Sequence, residues 1–161
     1  VDVSTQKIEA FEHTLLELSE NSTSIVDYSY SMENSVFVVL AKIDHILYKS
    51  RAYNSLLSME KILKPVDSHS CNLGKWYDGE GKRRFDCTNS YPKIAAPHKV
   101  VHTNANENVQ YLDRADSLHD ILDNSENILR NFDTMEDASA QLFTLMDEML
   151  GEACVQDQKN S

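Results

Sequence analysis

The sequence predicts an all-α protein, an antiparallel four-helix-type bundle with long flanking coiled-coil-like helices that pairs as a homodimer. Three observations predict it. Apolar residues recur at seven-residue spacing over most of the chain. Four Gly and three Pro among 161 residues leave little material for a turn-rich β fold. The punctuation residues that do occur gather mostly in one stretch, between Pro65 and Pro97, as connections between long helices would.

The first element follows from the seam Ile8, Phe11, Leu15, Leu18, Ile25, Met32, Val36, Val39, Ile43, Ile46 and Tyr53. It predicts one long helix, or two nearly continuous ones, ending near Pro65. Ser22 and Ser29 fall on the seam, and the helix is expected to bend or loosen there. An adjoining stripe of Val38, Ala41, His45, Tyr48 and Ala52 puts His45 on a buried or half-buried flank. After Pro65 the periodicity fails. A short helix over 70–77 is expected, with Asp78-Gly79-Glu80-Gly81 as a turn and a loop through Lys82-Arg83-Arg84. Pro97 suits the first turn of a further helix, where its missing N–H costs nothing, and that helix carries His98, Val101, His102, Ala105 and Val109. A last helix shows two adjacent stripes. Ile121, Ile128, Met135, Leu142 and Met149 lie beside Leu118, Leu122, Leu129, Phe132, Phe143 and Leu150, a face wide enough for more than one neighbour. Gly151 is expected to end it, with 155–161 as a frayed tail.

Bulk properties narrow the function. The length suits one domain with a proper core. Lys+Arg 15 against Asp+Glu 26 gives a net charge of −11, which repels phosphate backbones and anionic lipid, so nucleic acid and membrane surfaces are poor partners. The longest apolar run, Val36 to Ala41, is far too short to span a bilayer. The chain starts at Val1 rather than Met and lacks a signal-peptide pattern, which reads as an excised fragment. Cys71, Cys87 and Cys154 form no paired framework, so a cytoplasmic, reducing setting is expected with Cys87 and Cys154 as ordinary thiols.

The chemistry concentrates in His45, then Cys71 in the run Cys71-Asn72-Leu73-Gly74-Lys75-Trp76, then His98 and His102. The last two, four apart on a helix, project from one face, and tetrahedral Zn²⁺ favours imidazole nitrogen and thiolate sulfur. Together the four read as one zinc site. Asp44 reads either as an acceptor for a ligand's ring N–H or as an exposed helix aspartate. Trp76 and Leu73 read as packing beside the site. His69, two residues before Cys71, is a competitor that the pattern does not require. His13 and His119 sit on polar faces and are expected to be solvated, as is the Lys82-Arg83-Arg84 cluster. Cys87 is either a resolving thiol for oxidised Cys71 or idle.

These residues resemble the chemoreceptor zinc-binding domain of bacteria, through the Asp44-His45 pair, Cys71-x-Leu73-Gly74-x-Trp76 and His98-x-x-x-His102. The resemblance runs from about Val36 to Asn108. It implies a helical regulatory module that binds zinc through three His and one Cys, attached to cytosolic parts of chemoreceptors or to diguanylate cyclases. The chain accordingly divides into an N-terminal helix over 1–35, a zinc-binding core over 36–110, and a C-terminal helix and tail over 111–161. Four protein ligands close the shell against a catalytic water, and Lys99-Val100-Val101 supplies no carboxylate base, so no enzyme is expected. The expected function is sensing of zinc, or of an oxidant such as hypochlorous acid through Cys71, with the output passed to a chemotaxis signalling complex. A regulator of a cyclase output domain and a purely structural zinc scaffold are the alternatives.

Overall fold

The structure is a computed structural model that describes residues 2–114 and 116–152. It is all-α, with no strand among the described residues. The helices are α1 (Val3–Ser58), α2 (Asn72–Trp76), α3 (Lys82–Phe85), α4 (Ala95–Gln110), α5 (Ser117–Asp123) and α6 (Ser125–Gly151). A π-helical turn, Tyr77–Gly81, and two 3₁₀ turns, Tyr91–Lys93 and Tyr111–Asp113, complete it.

The chain divides into two compact units, Val1–Phe37 and Val38–Ser161. In the first, every described residue is exposed except Asn34 and Phe37, which are half-buried. Its seam residues Ile8, Phe11, Leu15, Leu18, Ile25, Met32 and Val36 are all open to solvent.

The second unit holds the core. Tyr48 and Ala52 of α1 join Leu63, then Val101, Ala105 and Val109 of α4, then Ile128, Phe132, Met135 and Ala138 of α6, in one buried cluster. The stripe through Val38, Ala41, His45, Tyr48 and Ala52 is the buried face of α1, while Val39, Ile43 and Ile46 on the adjoining face are exposed. Tyr53 stacks on Phe132 with ring centroids 4.0 Å apart. Lys42 and Lys49 flank the packed face with ion pairs to Asp147 and Glu136, each at 2.5 Å. Buried Asn108 donates to the Ile128 carbonyl at 3.0 Å and accepts from Asn131 at 2.9 Å, so its amide is satisfied.

Several expectations need correction. α1 stops at Ser58, short of Pro65, because Met59 adopts a positive φ of 57° that no helix continues. Ser55 Oγ then accepts from the amides of Ile62 and Leu63 at 3.1 and 2.9 Å, and Leu63 turns into the core. The stretch 78–84 is helical rather than a turn and loop. Glu80 pairs with Arg83 and Arg84 three and four residues on, which favours helix. Gly81 lies against Trp76, and a Cβ there would come within 2.7 Å of the indole. The last helix is two, separated at Asn124, and Leu118, Leu122 and Leu129 are exposed rather than packed. Cys87 is disulfide-bonded, not an ordinary thiol, so it is no resolving partner for Cys71, which is free. Cys154 and the expected tail over 155–161 lie outside the described residues.

Candidate metal centre

Two helices and one connection bring the four predicted residues together. His45 projects from the buried face of α1, and His98 and His102 from α4, each only 3% exposed. Cys71 arrives from the connection between α1 and α2, half-buried, as the N-cap of α2. One ligand-type atom from each of the four lies within 4.8 Å of all the others. His98 Nε2 is 3.2 Å from Cys71 Sγ. The ring centroids of His45 lie 4.9 Å from His98 and 5.5 Å from His102.

Local sequence explains how the sulfur is placed. Asp67 Oδ1 accepts from the amides of His69 and Ser70 at 2.8 and 2.9 Å, and Ser70 Oγ donates to Oδ2 at 2.6 Å, closing a tight turn. That carboxyl is held below its ordinary range, chiefly by the Ser70 hydroxyl. Gly74 then packs on the turn so closely that a Cβ would sit 1.9 Å from the Ser68 carbonyl oxygen. Only glycine permits this approach, which sets α2 against the turn and directs Cys71 inward. Gly74 N–H donates to Cys71 Sγ at 3.3 Å.

The imidazoles are oriented by backbone carbonyls. His45 Nδ1 donates to Ala41 O at 2.8 Å, and His102 Nδ1 to Val66 O at 3.0 Å. Each ring thereby presents Nε2, unprotonated, to the cluster, and both Nε2 atoms are buried with no hydrogen-bond partner. Burial lowers all three histidines. His98 falls to about 3 and His102 to about 4, with the neighbouring rings adding to the effect, and His45 is lowered as well. Burial pushes the Cys71 thiol up, against the lowering effect of the Gly74 and Leu73 amides. Three neutral imidazoles with converging lone pairs and one thiol form a nitrogen–sulfur donor set suited to a borderline-soft divalent ion. Two orphaned buried nitrogens are otherwise a cost without compensation, so the residues fit the ion that the sequence implies.

The other predicted positions fall elsewhere. Asp44 Oδ2 accepts from Asn72 Nδ2 at 3.0 Å, so it ties α1 to the residue after Cys71, while the ring N–H groups of His45 and His102 go to carbonyls. Trp76 packs 5.8 Å from Phe85, ring to ring, and against Gly81. His13, His69 and His119 are exposed and pair with Glu17, Asp78 and Asp123, outside the cluster. What spacing missed is the outer ring of partners, Ala41 O, Val66 O, Tyr48 and Asn106. The spacing had put Ala41 and Tyr48 on the His45 stripe without their roles, and Asn106 lies four residues beyond His102 on the same face of α4.

Comparison with known proteins finds a family model that matches the segment carrying this site. Residues 45–109 match the family described as CZB, the chemoreceptor zinc-binding domain, a segment that includes all four residues of the cluster. No curated protein matches the chain, and no solved structure does. The resemblance read from the residues is thus shown over that segment.

Proposed function

We propose that the chain is a zinc-binding sensory module in which His45, Cys71, His98 and His102 hold one Zn²⁺, and in which Cys71 responds to oxidant. The observation that carries this reading is the convergence of four buried or half-buried donor atoms within 4.8 Å, two of them imidazole nitrogens with no other partner. Bound zinc would act as a Lewis acid that stabilises the Cys71 thiolate. The chain's own residues do the rest. The Ala41 and Val66 carbonyls hold two rings in the ligating tautomer, and burial keeps all three imidazoles neutral. Cys71 gives up its proton on binding, so uptake releases protons.

The sulfur is the responsive element, because a thiolate at a half-buried position is what an oxidant attacks. Oxidation removes its donor ability and frees the 68–76 segment from the helices that carry the histidines. We place the output in chemotaxis signalling, with a cyclase regulator as the alternative, on the family resemblance. The role is regulatory rather than enzymatic, since four protein donors leave no place for a reacting water. Among the described residues no helix is long and apolar enough to cross a membrane. We place the chain in the cytoplasm on the same resemblance.

The exposed faces of Val39, Ile43 and Ile46 support the homodimer, because they continue a seven-residue repeat and stay about half open to solvent among the described residues. We read the helices as an antiparallel four-helix-type bundle that pairs with a second copy. Zinc stoichiometry and affinity test the central claim. The wild-type protein is expected to hold one equivalent, with Cys71→Ala strongly weakened. Unchanged stoichiometry and affinity in Cys71→Ala would sink the assignment, and Cys71 left unmodified by oxidant, or oxidised with full zinc retention, by mass spectrometry and metal analysis would overturn the redox role.

A further inference from the structure

We propose that Tyr48 and Asn106 are positioning residues that act on the metal site through the Val66 carbonyl. The inference rests on the cluster being the zinc site, and neither side chain belongs to the donor set. Three hydrogen bonds close a ring between α1, the connection and α4. Tyr48 Oη donates to Asn106 Oδ1 at 2.5 Å, Asn106 Nδ2 donates to Val66 O at 2.9 Å, and Val66 N–H donates to Tyr48 Oη at 3.2 Å. The directions are mutually consistent. Asn106 must face its oxygen to the phenol if its nitrogen faces the carbonyl, and the single phenolic proton goes to the shorter contact.

The Val66 carbonyl also lies 3.3 Å from Tyr48 Oη, the longer contact of that hydroxyl, and it accepts from the Nδ1–H of His102 at 3.0 Å. The ring therefore holds in place the acceptor that fixes the tautomer of His102 and aims its Nε2 at the cluster. Tyr48 also packs directly on His102, ring centroids 4.5 Å apart. The same clamp sets the start of the Cys71 segment, because Asp67 opens its turn at the next residue and the Ser68 carbonyl lies 3.5 Å from Cys71 Sγ. One clamp thus places a donor from α4 and a donor from the loop together.

The test uses Tyr48→Phe, Asn106→Leu and the double variant of the whole chain, with zinc affinity measured by competition against a chelator. Each single change is expected to weaken binding about tenfold, the lower range for loss of an outer partner of a ligand. The double variant is expected to lose about the same factor, because both act through one carbonyl. Tyr53→Phe, whose hydroxyl meets Glu136 at 3.2 Å, is the control for losing a phenol elsewhere and should leave affinity unchanged. In metal-free protein, nitrogen NMR of His102 should show Nδ1–H in wild type and a mixture of tautomers in both variants, with faster hydrogen exchange at the Val66 amide. Unchanged affinity and tautomer in Tyr48→Phe, or a multiplied loss of about a hundredfold in the double variant, would overturn the proposal. If the wild-type chain takes up no zinc, the zinc reading fails, while the tautomer and exchange measurements still decide the clamp.

Discussion

The two halves of the candidate metal site are built differently. The histidine half stands on long helices: His45, His98 and His102 are almost fully buried, and two of the rings are pinned by carbonyls at 2.8 and 3.0 Å. The cysteine half stands on a connection. Cys71 is half-buried and is placed by an Asp67 turn, a glycine contact and a 3.3 Å hydrogen bond from Gly74. Burial, with the neighbouring rings adding to it, keeps the imidazoles neutral and ready, whereas it opposes the thiolate. A preorganised side joined to a conditional side is what a reversible switch needs, because one partner can leave without unfolding the other.

Removing a donor from either half should have the largest effect. His98→Ala and Cys71→Ala are each expected to weaken zinc binding by more than about 100-fold, since losing even an outer partner costs roughly 10–100-fold. The halves should then separate in metal-free protein. His98→Ala also disturbs a buried site and should lower the thermal midpoint, while Cys71→Ala should leave it nearly unchanged. Equal midpoint losses would erase the contrast.

Gly74→Ala comes next and strikes the cysteine half alone. A methyl placed 1.9 Å from the Ser68 carbonyl forces the backbone apart, at a cost of about 1–3 kcal/mol by analogy with overpacked cores. Denaturant unfolding should show that loss, and hydrogen exchange should rise across 68–76 with the amides of α4 unaffected. Protection lost equally in α4 would mean that the halves unfold as one.

Acid tests the histidine half. The folded-state values of His98 and His102, about 3 and 4, lie below the ordinary 6.5, and His45 is lowered too. The unfolded chain therefore takes up protons first. Stability of the metal-free protein should be complete above about pH 6.5 and fall as pH drops toward 4 and then 3. A denaturant midpoint that stays flat from pH 7 to 4 would contradict the buried neutral rings. The smallest effect is expected for His69→Ala, His13→Ala and His119→Ala, exposed residues paired with carboxylates outside the cluster. Chelator competition should return the wild-type affinity for all three, and a tenfold loss in His69→Ala would make it part of the site.

Much of this was legible in the residues, and the reason differs by element. The all-α class and the buried stripe that carries His45 follow from periodicity, because a helix converts spacing of three and four into one face. His98 and His102 follow from the same rule, and the long gap-free run from Val3 to Ser58 from the absence of Gly and Pro. The sequence alone thus determined which residue types could meet a metal and on which helical faces two of the three segments would offer them. Tertiary structure decided the rest. It chose a helical course for 78–84, through ion pairs at Glu80 and the fit of Gly81 to Trp76. It broke the last helix at Asn124, left Leu118, Leu122 and Leu129 exposed, and paired Cys87. It also supplied the partners that orient the rings, the carbonyls of Ala41 and Val66. A backbone carbonyl is the same group in every residue, so nothing in the order of side chains marks which one a ring will meet; only the folded path of the chain brings it there.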